Sequence, residues 1–246
     1  MNGLVRFSFV IVSLAVASAA SLAQPAPDYA AVLNAPDRTD ADRKNDERRA
    51  SVKILAFTGV QPGWKILDMG AGAGYSTELM ARAAGPTGKV YGQNPPDMMD
   101  RARSAYEERA KSPAMQTVTT LTRVYDDPVP AEVKNLDLIT FFYAYHDVTY
   151  MPVDRAKMDH ALLDALKPAG YFVIADYASL PGAGTSVSNT LHRIDEDFLK
   201  KEVEAAGFKL VQEGDFLRNP DDPHTMPIFR PQIPIDIFVL KFQKPG

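Results

Sequence analysis

Residues 65–82 read KILDMGAGAGYSTELMAR. An apolar run ends in Asp68, glycines follow at the alternate positions Gly70, Gly72 and Gly74, and an amphipathic segment begins at Tyr75. Giving up side chains where a strand hands over to a helix lets a ligand approach the main chain at the carboxyl end of the strand, where open α/β sheets bind. A chain built round this turn is held to an α/β fold with its site at that edge. The spacing also narrows the ligand. A dinucleotide fingerprint needs G-x-G-x-x-G, and Tyr75 stands where its third glycine belongs. Asp68, two residues ahead of the first glycine, would repel a pyrophosphate but suits an ammonium group. The ligand is expected to be uncharged or cationic near the turn, which argues against a nicotinamide oxidoreductase.

Strand-like and helix-like segments alternate along the rest of the chain. The patterning predicts strands at 65–69, 88–93, 117–125, 136–143, 170–176, 208–213 and 235–243, and helices at 75–84, 97–110, 154–166 and 195–206. LDLITFFY and YFVIADY are continuously apolar, the signature of strands covered on both faces. Residues 24–40 read as an irregular arm, after which Asp40 is expected to cap a helix over 41–57, charged in its first half and apolar in its second. Five prolines interrupt 215–234, a connection long enough to be either functional or loosely ordered. No repeat or linker divides residues 41–246, so one doubly wound α/β domain is expected.

The first 23 residues follow another logic. Arg6 precedes the run FSFVIVSLAVASAA, no acid occurs before Asp28, and SLA at 21–23 places small residues where a signal peptidase reads. The apolar run is short for a bilayer, so residues 1–23 are expected to be a secretory signal cleaved after Ala23. The mature protein would then be periplasmic, with no stable membrane insertion. The chain has no cysteine, which excludes disulfides, thiolate metal sites and a cysteine nucleophile. A formal net charge of −4 without any basic block argues against nucleic acid and anionic membranes as partners. A small molecule is the expected substrate.

ILDMGAGAGYST resembles the first motif of the class I, Rossmann-like S-adenosylmethionine-dependent methyltransferases. LKPAGYFVIAD (166–176) resembles that family's segment leading into its fifth strand, and VEAAGFKLV (203–211) its penultimate helix and sixth strand. The resemblance implies seven strands in the order 3-2-1-4-5-7-6, the last antiparallel, with helices on both faces and S-adenosylmethionine as cofactor. Carried over by position, Asp68, Gly70, Gly72 and Gly74 would line the methionine portion of that cofactor. Where the family commonly grips the ribose hydroxyls with an acid, this chain has Gln93 and Asn94, whose amides bond hydroxyls without the charge-assisted contribution. Asp126, or its neighbour Asp127, stands where the family often contacts adenine; a solvated turn ahead of Pro128 is the competing reading.

The fourth strand runs out through FFYAYHDVTY, and the resemblance puts this segment beside the transferring methyl. Tyr143 and Tyr145 offer ring faces to a sulfonium. His146 is expected to act as a base toward an acceptor hydroxyl or amine, a structural histidine being the alternative. Asp176, ending the fifth strand beside Tyr177, is expected to orient His146 or bind substrate. His146, Asp176 and His192 also supply nitrogen and oxygen donors, but without tight ligand spacing no metal is assigned. His160 is expected on the polar side of its helix and His224 exposed in the long loop. Two functions fit: a methyltransferase making an in-line transfer to an unidentified small acceptor, or an exported ligand-binding protein on that fold without turnover, which Gln93 and Asn94 mildly favour.

Overall fold

Successive side chains of a strand point to opposite faces, and in this sheet both faces are apolar. The computed structural model describes residues 27–229 and 231–246, so the expected signal segment lies outside the described residues. Its strands are β1 (Lys65–Met69), β2 (Lys89–Asn94), β3 (Val118–Thr122), β4 (Leu136–Phe142), β5 (Leu166–Tyr177), β6 (Lys209–Gly214) and β7 (Ile237–Gln243). They form one sheet in the order β3-β2-β1-β4-β5-β7-β6. Pairings are parallel from β3 through β5, and β7 runs antiparallel to both β5 and β6. This is the order and polarity the family resemblance implies.

Nine helices are present among the described residues: α1 (Tyr29–Leu33), α2 (Asp40–Arg48), α3 (Ser51–Thr58), α4 (Tyr75–Ala84), α5 (Asp100–Arg109), α6 (Tyr145–Val148), α7 (Arg155–Ala165), α8 (Ser188–Leu191) and α9 (Glu196–Ala205). Leu67, Ile139, Phe141, Phe172 and Ile174 face one layer, where Met158 and Leu162 of α7 and Leu199 and Val203 of α9 complete the core. Ile66, Leu138, Val173 and Val239 face the other, under Leu79 and Met80 of α4 and Ile54 and Leu55 of α3. Asp68 and Thr140 share that second face at the carboxyl edge, pairing with Gly92 and Asp68 respectively across the strands.

The N-terminal region departs from expectation. The described part of the arm contains α1, capped by Asp28, and Tyr29 donates a hydrogen bond to the Val60 carbonyl at 2.9 Å. The helix expected over 41–57 is two helices. Thr39, rather than Asp40, caps α2 through a reciprocal box with Asp42, and Ala50 breaks the rod with φ at +45°. The break separates two incompatible jobs: α2 pairs its charges with buried polar groups, while α3 buries Ile54, Leu55 and Phe57. Among its described residues the 215–234 connection carries no regular strand or helix, yet it is tied down where Arg193 donates to Asp222 at 2.8 and 3.1 Å, both side chains buried. No described helix is long and apolar enough to cross a membrane.

Candidate active site

The turn after β1 is held by the end of β2. The Gly70 N–H donates to Gln93 Oε1 at 3.0 Å, the Ala71 N–H to the Gln93 carbonyl at 2.8 Å, and the Gly72 N–H to Asn94 Oδ1 at 2.8 Å. Nδ2 of Asn94 donates back to the Gly72 carbonyl at 3.2 Å. The donors a phosphate would need are therefore spent inside the protein, and Gln93 and Asn94 are the clamps of the turn. Gln93 is fully buried and does not face the cleft, because its other amide atom donates to the Arg123 carbonyl at 2.6 Å.

The three glycines do different work. Gly72, at φ +57°, would direct a Cβ into open space, meeting nothing nearer than the Gly70 carbonyl oxygen at 3.9 Å. A Cβ on Gly70 would press on Phe141 and the Tyr125 hydroxyl at 3.0 and 3.2 Å. Gly74 does not line the cleft: it starts α4, and a Cβ there would strike Tyr106 at 3.0 Å. Asp68 sits beneath the turn with its carboxylate accepting from Thr77 at 2.6 Å and Thr140 at 2.7 Å. Burial pushes its pKa up to about 6, against the pull of those two hydroxyls and of Arg49.

From this turn a cleft of about 770 Å³ runs to the ends of β4 and β5, a size suited to a cofactor-sized ligand. Asp97 and Met99 from the β2–α5 loop form one wall, and Asn45 and Arg49 from α2 and its end form a roof. The roof is pinned: Arg38 pairs with Asp46 at 2.6 Å, Arg109 with Asp42 at 2.7 Å, and Tyr75 donates to Asp46 at 2.5 Å. The Arg49 guanidinium lies over the rings of Tyr143 (4.6 Å) and Tyr75 (5.0 Å), occupying the aromatic face expected to meet a sulfonium. Tyr143 lines the cleft at φ +61°, its buried hydroxyl without a hydrogen-bond partner among the described residues.

At the far end His146 is 2 % exposed. Its Nδ1 lies 2.8 Å from Asp176 Oδ1, and its main-chain N–H donates to Asp176 Oδ2 at 2.8 Å. Its Nε2 lies 3.1 Å from Asp147 Oδ1 and 3.3 Å from His192 Nδ1. Burial alone would lower the His146 pKa, but the charges of Asp176 and Asp147 prevail and raise it to about 10. With no ion in the group, those two carboxylates favour the protonated ring, so action as a base needs that balance to be changed. Asp176 holds the ring and the His146 main chain through these two contacts and does not itself line the cleft.

Two further expected site residues point elsewhere. Tyr145 begins α6 with its ring turned into the opposite core layer, its hydroxyl 2.9 Å from both Asp159 and Glu202. Asp126 does not line the cleft either; its carboxylate faces Lys157 at 3.7 Å, while the preceding Tyr125 lines the wall and stacks on Phe141. His160 is exposed, whereas His224 is half-buried and 3.0 Å from Asp236. The patterning missed Asp97 as a cleft residue. For Asp97 a signal existed: it is the first acid after β2, delayed by NPP. The long Pro-rich connection supplies Ile228 and Phe229 at the mouth, the Phe229 ring 4.8 Å from His192.

A family described as a methyltransferase domain matches residues 34–213. The ubiquinone/menaquinone biosynthesis C-methyltransferase UbiE of Burkholderia multivorans is 28% identical over 126 residues, 51% of this chain and 48% of its own. The chain thus spans about half the length of the curated relatives it matches. The crystal structure of a SAM-dependent methyltransferase from Aquifex aeolicus superposes with a TM-score of 0.57 at 18% identity, over 88% of this chain and 98% of that one. The cyclase SpnF does so with a TM-score of 0.59 at 15% identity, over 83% and 82%, so the shared fold alone does not name a reaction. The strand order, the clamped glycine turn and the match over 34–213 together show that this chain belongs to the methyltransferase-domain family.

Proposed function

We propose that the protein is an S-adenosylmethionine-dependent methyltransferase acting on a small-molecule acceptor, and that it is exported after removal of residues 1–23. The observation that carries this reading is the bare Gly72 beside the buried Asp68, opening into a cleft that continues to the β4 and β5 ends. A zwitterionic amino-acid tail suits that place, with Asp68 beneath its ammonium and Arg49 available to its carboxylate. Asp97, exposed on the wall, takes the ribose hydroxyls that the amides of Gln93 and Asn94 are too occupied to hold. When bound, the cofactor supplies a methyl group made electrophilic by its sulfonium. The chain's own work is alignment and exclusion of water: Tyr143 and Tyr177 close the floor, and the His146–Asp147–His192 group meets the acceptor.

The ligand-binding alternative drew mild support from Gln93 and Asn94 in place of an acid. Their clamping role, and the nearby Asp97, remove that support. Calorimetry with S-adenosylhomocysteine tests the proposal. Wild-type protein should bind one equivalent, and Gly72→Asp, which projects a charged side chain into the cleft from a left-handed backbone, should bind none. Absence of heat with wild-type protein at millimolar ligand would refute the assignment.

A further inference from the structure

The far end of the cleft, away from the glycine turn, holds a three-point arrangement of donor atoms. Nε2 of His146, Nδ1 of His192 and Oδ1 of Asp147 form a nearly equilateral triangle with edges of 3.3, 3.3 and 3.1 Å. We propose that this triangle binds one divalent transition-metal ion through those three atoms, with an open position toward the cleft for an acceptor oxygen.

Four observations carry the proposal. Metal–ligand bonds of about 2.0–2.1 Å in a four-coordinate site put the ligand atoms about 3.3 Å apart, the spacing seen here. Two N–H groups can serve the edges that meet at Asp147 Oδ1, but they leave the edge between the two ring nitrogens without a bond; an ion seated above the triangle serves all three corners. Two imidazoles and one carboxylate are the donor set of borderline divalent metals, with zinc and iron(II) the commonest users. Behind the triangle, the fully buried Asp176 takes the Nδ1 side of His146 at 2.8 Å, the carboxylate–histidine pairing that leaves Nε2 free for a metal.

Charge and backbone agree. Among the described residues neither Asp147 nor Asp176 has a lysine or arginine partner; their ion-pair neighbours are the two histidines. A divalent ion balances both carboxylates. His192 reaches the triangle because it leaves α8 with φ at +53°, a conformation held for a non-glycine residue only when its surroundings enforce it. Tyr150 donates to Asp147 Oδ1 at 2.5 Å and so fixes which carboxylate oxygen points inward.

The site stands on this geometry alone; its role rests on the methyltransferase reading. There it selects an acceptor carrying a hydroxyl. The ion makes that hydroxyl acidic, its proton leaves to water, and the oxygen forms a bond to the methyl carbon as the carbon–sulfur bond breaks.

The test is metal stoichiometry on the purified protein, stripped by chelator and titrated with zinc, then with cobalt(II) for its visible absorption. Wild-type protein should bind one equivalent of either ion. His192→Ala, a half-exposed position whose loss spares the core, and Asp147→Ala should weaken zinc at least about tenfold and abolish the cobalt band. Asp176→Asn should weaken zinc about 10–100-fold as a positioning residue, and His160→Ala, remote and exposed, should change nothing. Zinc bound equally by wild type, His192→Ala and Asp147→Ala, or by none of them, would overturn the proposal. S-adenosylhomocysteine binding, measured on the same stripped samples, reads the other claim separately: donor binding without metal uptake refutes the metal site, and metal uptake without donor binding refutes the methyltransferase reading.

Discussion

The two ends of the cleft are built in opposite ways. At the glycine end, one contiguous segment supplies the turn and its carboxylate, and β2 satisfies the turn's amides from the adjacent strand. At the histidine end, the groups come from α6 and from the residue after α8, 46 positions apart in the chain, and meet because β4 and β5 are neighbours in the sheet. The first end is internally hydrogen-bonded before any ligand arrives. The second leaves converging donor atoms facing the cleft and places Tyr143 and His192 in left-handed backbone. A fixed, self-satisfied turn suits recognition of one constant cofactor, whereas loop-borne convergent groups suit chemistry on an acceptor that differs between relatives.

The largest way to break this contrast is Asp68→Asn. The folded Asp68 has a raised pKa, so the folded state binds its proton more tightly than the unfolded state does. Stability is therefore lost as pH rises from about 4 to about 6, and at pH 7.5 the charged form weighs on the fold. An asparagine keeps the contacts with Thr77 and Thr140 without the charge. Melting at pH 7.5 should shift upward in the variant, and the gap should close below pH 4. S-adenosylhomocysteine binding should weaken about 10–100-fold, the loss of a charged hydrogen-bond partner. For wild-type protein, affinity should fall as pH drops below about 6. A variant that melts lower and binds normally would show that Asp68 is a core residue and not the recognition group.

Asp97→Asn sharpens the comparison from the same end with a smaller effect. Asp97 is exposed, so stability should not move, and affinity should fall roughly tenfold or less, the charge-assisted part of a bond to a hydroxyl pair. The loss should vanish for S-adenosyl analogues lacking the ribose 2′-hydroxyl. Equal losses with both ligands would detach Asp97 from the ribose.

The same contrast explains what could be read in the chain. The seven-strand order came with the family resemblance, which rests on the glycine turn and two further segments in family order; the continuously apolar β4 and β5 segments by themselves showed a sheet covered on both faces. The split into α2 and α3 was hidden because no glycine or proline interrupts 41–57, and nothing in Arg49–Ala50 advertises a left-handed residue. The clamping by Gln93 and Asn94 was likewise invisible: an amide at a strand end looks the same whether it serves a ribose or a neighbouring loop. At the histidine end, His146, Asp176 and His192 were found as donors, but Asp147 takes the inner position and Asp176 the outer one. Only side-chain direction at the β4 and β5 ends distinguishes those two roles.

Tyr145→Phe probes that question of direction with the smallest effect on activity. Adjacent residues of one short helix, Tyr145 and His146, turn to opposite layers: His146 to the cleft, Tyr145 to a buried group in which Asp159 has a pKa raised to about 7 by burial and Glu202 pairs with Arg155 at 2.8 Å. Removing the hydroxyl takes a donor from Asp159 and Glu202 while keeping the ring that packs on Phe141. Stability should drop by about 1–3 kcal/mol, the cost of leaving a buried acceptor unpaired. Cofactor affinity, metal stoichiometry and turnover at saturating ligand should stay within about twofold of wild type, because the altered group lies across the sheet edge from the reacting atoms. A large fall in turnover without a fall in stability would bring Tyr145 back to the cleft and require α6 to rotate by about half a turn, carrying His146 out of its contact with Asp176.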